Sequence, residues 1–196
     1  MKQEEVRLGY LLIASPIPNV YIGGAMVTDG RGLPIEFRYT EPIQPTKIQQ
    51  ILYGQALGNY IKGEVILETI VKSLESAFSL LLVEDEKLLN CPSKTFTVVR
   101  VSETKTPKIG DPGDWQRLTP YEILAQVSRE GNPLRLQLSS QHAGESADDD
   151  AASETPPLDL ELLALAGQSM ELTEPLRRIE RALESICQEA GLRNDG

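Results

Sequence analysis

The sequence of 196 residues has few of the side chains that carry out most protein chemistry, with one histidine, two cysteines and one tryptophan. The histidine, His142, lies in the stretch SSQHAGESADDDAASETPP, which has no lysine, arginine, aromatic or branched aliphatic residue. Such a stretch cannot offset the entropy of ordering its backbone, so we predict that residues 139–157 form a disordered acidic linker. A base on a flexible linker is not held within reach of a substrate proton, which argues against Ser-His-Asp and Cys-His catalysis.

The scarcity of cysteine and histidine also limits metal and cofactor chemistry. Cys91 and Cys187 stand far apart and belong to no Cys-x-x-Cys or Cys/His cluster, so they are interpreted as free thiols outside any zinc site. The acidic run 148–150 lacks the ligand alternation and the glycine of a calcium loop. The glycines in residues 28–32 precede a strand pattern, which is typical of a hairpin turn and not of a phosphate-binding loop. We therefore predict no catalytic residue, no metal and no cofactor.

Basic residues are outnumbered, since 19 Lys and Arg stand against 29 Asp and Glu and give a net charge of -10. A surface of that sign repels phosphate backbones and anionic lipid, so we predict that neither nucleic acid nor a membrane is a partner. No apolar run approaches the roughly 20 residues that cross a bilayer. The charged N-terminus also lacks the apolar segment of a secretory signal, which favours a cytoplasmic protein.

The first forty residues predict three strands. Residues 6–14 are rich in apolar side chains and end at Ser15-Pro16. Residues 19–27 have apolar side chains on both faces, which is typical of a strand covered on both sides. The paired Gly23 and Gly24 within it indicate that a helix or another backbone approaches closely. The turn at 28–32 then leads into a third strand with one buried and one wet face.

After the third strand the pattern changes to that of helices. Apolar residues recur at helical spacing through residues 48–61 and 66–74, and two later apolar runs, 78–83 and 95–101, are typical of strands. The predicted order is β-β-β-α-α-β-β, an α+β fold with a mostly antiparallel sheet of about five strands and helices on one or both faces. In outline this order resembles that of the roadblock and longin-type modules, in which a hairpin with a glycine-rich turn leads into a helix and back to the sheet.

Changes in composition divide the chain into four parts. A turn-rich stretch of Pro, Gly and Asp ends the α+β core, residues 1–104. We predict that residues 105–138 form an extension with a short helix at 118–127, which Thr119-Pro120 would start. The disordered linker and a C-terminal helical segment, residues 158–196, follow.

The C-terminal segment has the most regular pattern in the chain. Its six seam residues, from Leu172 to Ala190, are spaced 4, 3, 4, 3 and 4, as in a heptad repeat. Capping and terminating residues predict a helix from about Thr173 to Ala190. A lone helix of this length is marginal in water, so the seam needs a surface, which the sequence leaves open as its own domain, a second copy or another protein. We predict that the seam binds a partner protein through Leu172, Leu176, Ile179, Leu183 and Ile186.

These patterns favour a non-catalytic adaptor or accessory subunit of a cytoplasmic protein complex, whose partner is another protein or a second copy of the chain. The alternative is a small-molecule sensor or an enzyme that uses a polar cluster on the third strand as a ligand or contact surface. That cluster consists of Glu36, Arg38 and Tyr39. Glu36 and Arg38 point to the same side of a strand, so a surface ion pair explains the two charges equally well.

Overall fold

A computed structural model describes residues 3–91, 93, 95–139, 156 and 158–192 of the chain. In this part of the chain a single sheet of eight strands has the order β3-β2-β1-β4-β5-β8-β7-β6. Strands β1, β4 and β5 are parallel to one another, and all other neighbouring strands are antiparallel. The strands are β1 Arg7–Ala14, β2 Ile22–Asp29, β3 Pro34–Tyr39, β4 Leu80–Val83, β5 Thr97–Glu103, β6 Trp115–Thr119, β7 Glu122–Ala125 and β8 Leu134–Leu138.

Helices cover both faces of the sheet. Between β3 and β4 the chain forms a nearly continuous helical segment, and after β8 it forms two helices on the opposite face. The first segment comprises α1 Lys47–Tyr53, a 3-10 turn Gly54–Ala56, α2 Leu57–Tyr60, a π-helical turn Ile61–Leu67 and α3 Glu68–Ser73. The second comprises α4 Leu160–Gly167 and α5 Glu174–Glu189. Two further 3-10 turns are Gln3–Glu5 and Glu86–Asn90.

The sheet separates two hydrophobic cores, because successive side chains of a strand point to opposite faces. In β1, Tyr10 packs in the core beneath α4 and α5, and the next residue, Leu11, packs in the core beneath α2 and α3. The eight residues of β2 are all buried, which confirms the predicted strand covered on both sides.

The two adjacent glycines of β2 allow this double cover. A methyl group on Gly23 would clash with Ile66 Cγ2 and lie 2.7 Å from Ile70 Cδ1, on the side of the first helical segment. A methyl group on Gly24 would lie 3.0 Å from side-chain atoms of Ile179 and Leu183 in α5, on the other side. The predicted close approach at these glycines is confirmed, and it occurs on both faces.

The α+β class is confirmed, and the sheet differs from its prediction in size and in strand direction. It has eight strands among the described residues, and it is mixed where a mostly antiparallel sheet was predicted. The predicted helix at 118–127 is wrong, because this stretch forms the β6-β7 hairpin, with Pro120 and Tyr121 in its turn. Proline fits the first position of a turn as well as the first turn of a helix, so it did not distinguish the two. The extension predicted at 105–138 adds β6, β7 and β8 to this same sheet, since β8 pairs with β5.

The predicted C-terminal helix is confirmed, with bounds within one residue at each end. Its seam, however, lies in the chain's own core: Leu172, Leu176, Ile179 and Leu183 are buried against the sheet, and Ile186 is partly buried. The buried stripe continues to Cys187, because a straight helix of 3.6 residues per turn drifts away from a heptad repeat. A seam that packs on its own sheet leaves no free stripe for a partner, so the predicted docking in trans is corrected to packing in cis.

Two sequence predictions concern residues that the structure does not describe. Apart from Ser139 and Pro156, the predicted linker 139–157 lies outside the described residues, and so does His142. Cys91 and Cys187 are free, as predicted, and both are buried. Within the described ranges, no helix combines the length and the apolar character needed to cross a bilayer.

Candidate functional site

The polar cluster predicted on β3 divides between two faces of the strand. The Glu36 carboxylate accepts hydrogen bonds from the backbone N–H of Ser76 at 2.8 Å and of Glu75 at 3.1 Å, and Arg38 Nε donates to it at 2.8 Å. Arg38 also pairs with Glu75. Tyr39 lies on the other face beside Phe37, with ring centroids 5.8 Å apart. Glu36 and Arg38 thus fasten β3 to the loop after α3, and their use as a ligand surface stays a prediction.

The Glu36 carboxylate has a strongly altered pKa. Burial raises the pKa, but the hydrogen bonds from Ser76, Arg38 and Glu75 outweigh it and lower the pKa to about 2. An acid that remains ionised at all physiological pH values is suited to holding a loop and unsuited to proton transfer.

A cavity of about 250 Å³ lies at the carboxyl end of β5, where the chain also leaves β7 and enters β8. The carboxyl ends of parallel strands are a recurrent position for ligand sites in open sheets. The cavity wall comes from three segments: the end of β5, the β7-β8 loop and the connection between α4 and α5. The lining residues are Glu103, Thr104, Val127, Ser128, Glu130, Gly131, Asn132, Pro133, Leu134, Met170, Glu171, Leu172 and Thr173.

Gln126 organises the loops around this cavity. It is 1% exposed, and its side-chain amide donates to the backbone carbonyls of Ser128 at 2.8 Å and Gly131 at 3.2 Å. Its side-chain oxygen accepts from the backbone N–H of Ile109 at 3.3 Å. A buried amide with all these bonds fixes the β7-β8 loop and ties it to the loop between β5 and β6. The cavity wall is therefore held in place by a residue that does not line it.

The charged side chains that line the cavity are all carboxylates. Glu103, Glu130 and Glu171 line the cavity, and none of the described lining residues is a lysine or arginine. Arg177 of α5 pairs with both Glu103 and Glu171, and Thr173 Oγ1 lies 2.9 Å from Glu171. These bonds leave the carboxylates with further lone pairs, so the wall can accept hydrogen bonds from a donor-rich ligand. Val127, Leu134, Met170 and Leu172 supply apolar surface.

Two exposed cationic residues adjoin lining residues of the cavity in the sequence, and we call them the rim. Lys105 follows the lining residue Thr104, and Arg129 lies between the lining residues Ser128 and Glu130; both are exposed. The surrounding segment, residues 105–138, holds five basic and four acidic side chains, whereas residues 139–196 hold four and 13. The acidity of the whole chain is therefore concentrated elsewhere in the sequence, and this rim is not part of it.

A second group of carboxylates lies beside the same end of the sheet. Burial raises the pKa of Glu84, which follows β4, and nearby Glu180 and Glu103 raise it further, while Arg177 lowers it. Among the described residues, no group of three or more His, Cys, Asp or Glu side chains is arranged to hold a metal ion.

A second cavity, of about 370 Å³, lies between the loop after α3 and the start of β5. Among its described lining residues Lys72 alone is charged, and it is paired with Glu68 at 2.7 Å; Ser93 and Thr95 bond to each other. The cavity at β5 therefore offers the richer set of polar contacts.

Comparisons with known proteins found similarity at the level of solved structures. No family model and no curated protein matches the sequence. The chain is similar in structure to endonuclease V. The structure of human ENDOV matches with 11% identity over 94% of this chain and 86% of that chain, at a TM-score of 0.47. The Ciona intestinalis endonuclease V in complex with a 24-mer DNA matches with 9% identity over 96% of this chain and 89% of that chain, at 0.48. A. aeolicus Argonaute matches with 9% identity over 89% of this chain and 26% of that chain, at 0.43.

Two sequence predictions are corrected by these findings. The non-catalytic adaptor is wrong: the seam it depended on is buried, and the solved structures similar to this chain are nucleic-acid-processing proteins. The exclusion of nucleic acid as a partner is contradicted as well: the similar structures include Ciona intestinalis endonuclease V in complex with DNA and Marinitoga piezophila Argonaute in complex with guide RNA. The exclusion came from the net charge of the whole chain, which does not describe the charge of one surface.

No sequence motif marked the cavity. Glu103, Glu130 and Glu171 are separated by dozens of residues, and only the pairing of β5 with β8 and the packing of α5 bring them together. The one compositional difference was the near balance of basic and acidic residues in 105–138, which a count over the whole C-terminal half conceals.

Proposed function

We propose that this chain binds single-stranded nucleic acid by holding one unstacked base in the cavity at the carboxyl end of β5. The observation that carries the proposal is a cavity with carboxylate and apolar walls, whose lining residues adjoin the exposed Lys105 and Arg129 in a segment of five basic and four acidic residues. Unstacked bases are the usual target of proteins that bind single strands, because both the ring faces and the polar edges are then accessible.

The cavity walls match the surfaces of a base. Val127, Leu134 and Leu172 offer apolar contacts to the ring, and the carboxylates of Glu103, Glu130 and Glu171 accept hydrogen bonds from exocyclic amino groups. Cytosine and adenine carry such amino groups and thymine does not. A base with an amino group is therefore the preferred occupant.

The rim matches the phosphates on either side of that base. Lys105 and Arg129 are exposed and positively charged, whereas the cavity wall carries carboxylates. The two cations can therefore bind phosphate oxygens while the carboxylates accept hydrogen bonds from the base edge. DNA is what the Ciona intestinalis endonuclease V structure holds, and the proposal for this chain rests on its own cavity and rim.

The rim is tested by the fluorescence anisotropy of labelled 12-nucleotide single strands with the full chain at low salt. Lys105→Glu combined with Arg129→Glu is expected to weaken binding at least tenfold and to reduce the salt dependence by about two phosphate contacts. The matched control, Lys72→Glu with Lys87→Glu, makes the same change in charge at exposed residues away from the cavity and is expected to have a small effect. Absence of binding by the wild type, or equal losses in both variants, would contradict the proposal.

The cavity is tested by comparing homopolymers. The wild type is expected to bind oligo-dC and oligo-dA more tightly than oligo-dT, and Glu130→Gln is expected to reduce this preference without altering the salt dependence, because the amide presents fewer acceptor sites. Equal affinity of the wild type for oligo-dC and oligo-dT would show that the carboxylates do not contact a base.

A further inference from the structure

Helix α1 is the one α-helix of the described chain without a buried residue. All residues from 46 to 56 are exposed. The helix is nevertheless well formed at its start, where Thr46 and Gln49 make a reciprocal capping box. A capped helix that carries Ile and Leu into solvent indicates an association surface.

The exposed apolar side chains of this region form one patch. Ile48, Ile51 and Leu52 are 69%, 71% and 75% exposed, and their spacing of three and four places them on one side of α1. Tyr53 and Tyr60 adjoin them, each 45% exposed, with stacked rings 5.3 Å apart. We call these five residues the α1 patch.

We propose that the α1 patch binds the α1 patch of a second copy of this chain. At these exposures each large side chain offers on the order of 100 Å², so the patch supplies roughly 500 Å² of the about 800 Å² that each partner contributes to a stable interface. The exposed Gln49, Gln55 and Ala56 between and beside them extend that area. An apolar patch is self-complementary, as the two-fold symmetry of a homodimer requires.

The distribution of charge favours a second copy at this surface. Residues 42–63 contain two lysines and no acidic residue, in a chain that has 29 acidic residues in all. Two copies that each carry a net charge of -10 repel one another, and the repulsion is weakest where acidic side chains are absent from both contacting surfaces. The α1 patch is such a surface.

The oligomeric state of the full chain tests the proposal, measured by light scattering after size exclusion from 1 to 100 µM. The wild type is expected to show twice the chain mass of 21.6 kDa. Ile51→Glu with Leu52→Glu is expected to show the single mass, with an unchanged circular dichroism spectrum because both side chains are exposed. The control Ile35→Glu, at an exposed apolar residue of β3, is expected to remain dimeric.

Mixing two charge variants of the α1 patch tests whether its partner is a second copy of the chain. Ile51→Glu and Ile51→Lys are each expected to be monomeric alone and to form a heterodimer when mixed, because opposite charges then face each other across the interface. A wild type that stays monomeric at 100 µM overturns the proposal, and in that case binding to anionic lipid vesicles would assign the α1 patch to a membrane surface. Retention of the dimer by Ile51→Glu with Leu52→Glu also overturns it.

Discussion

At the scale of single residues, the structure depends on positions whose neighbours come from distant parts of the chain. Gly23 and Gly24 were predicted to allow close approach of a helix or another backbone to the strand. Glycine weakens the interior of a strand, so two in succession indicate that a neighbour needs the space. Glu36 shows the converse: its alternation on a strand is visible in the sequence, whereas its bonds to the backbone of Glu75 and Ser76 are not. Gln126 gave no signal, since a buried amide has no local pattern.

The first prediction at this scale concerns the two helical layers. Gly23→Ala is expected to destabilise the fold by about 1–3 kcal/mol, because the added methyl would lie 2.7 Å or less from Ile66 and Ile70. Gly24→Ala, with its nearest contacts at 3.0 Å, is expected to cost less. Urea denaturation measures both. The control Gly63→Ala, with no atom within 4 Å, should be neutral or stabilising, and an unchanged midpoint for Gly23→Ala would refute the close packing.

The second prediction at this scale concerns pH. The folded-state pKa of Glu36 is about 2, below its ordinary value of 4.5, so the carboxylate contributes stability above the ordinary value that is lost as the pH falls toward 2. Glu36→Gln is expected to cost about 2 kcal/mol at pH 7 and little at pH 2, since hydrogen bonds to a charged group are the stronger ones. Thermal denaturation of both proteins from pH 7 to 2 measures this. Parallel curves over the whole range would rule out the proposed contribution.

At the scale of elements, sequence periodicity predicted the helix α5 well and its docking surface wrongly. Periodicity reports that one side of a helix is apolar, and it contains no information on which surface covers that side. The answer lies in β1 and β2, whose side chains beneath α5 are also apolar and need a cover. The prediction of a helix at the β6-β7 hairpin was wrong for a related reason. The proline and the buried Ile123 of this stretch occur in helices as well as in hairpins.

Packing of α5 in cis leads to a prediction about stability. Leu183→Ala is expected to destabilise the fold by about 2–5 kcal/mol, because the side chain is fully buried against the sheet and its removal leaves a cavity. Ile186→Ala, at a partly buried neighbour on the same helix, is expected to cost less. Equilibrium unfolding in urea measures the difference. A helix that docked only on a partner would leave the unfolding midpoint of Leu183→Ala unchanged.

At the scale of the whole molecule, the order of the periodic segments predicted the fold class, whereas the net charge misdirected the choice of partner. The net charge of -10 is a sum over surfaces of different character: an acidic C-terminal third, a balanced rim at the cavity and an acid-free α1 patch. A cavity assembled from Glu103, Glu130 and Glu171 becomes visible only when the topology is known, because its walls belong to three separate segments. Sequence reasoning could therefore predict most of the strands and helices, but not the cavity.

The position of α5 over β1 and β2 also affects how the chain folds while it is being synthesised. The first two long strands emerge from the ribosome early, and the helix that covers one of their faces is complete only when residue 189 has been made. Throughout that interval a broad apolar sheet surface stays bare, which is the condition under which nascent chains aggregate or recruit chaperones. Shortening the chain from its carboxyl end would make that transient exposure permanent.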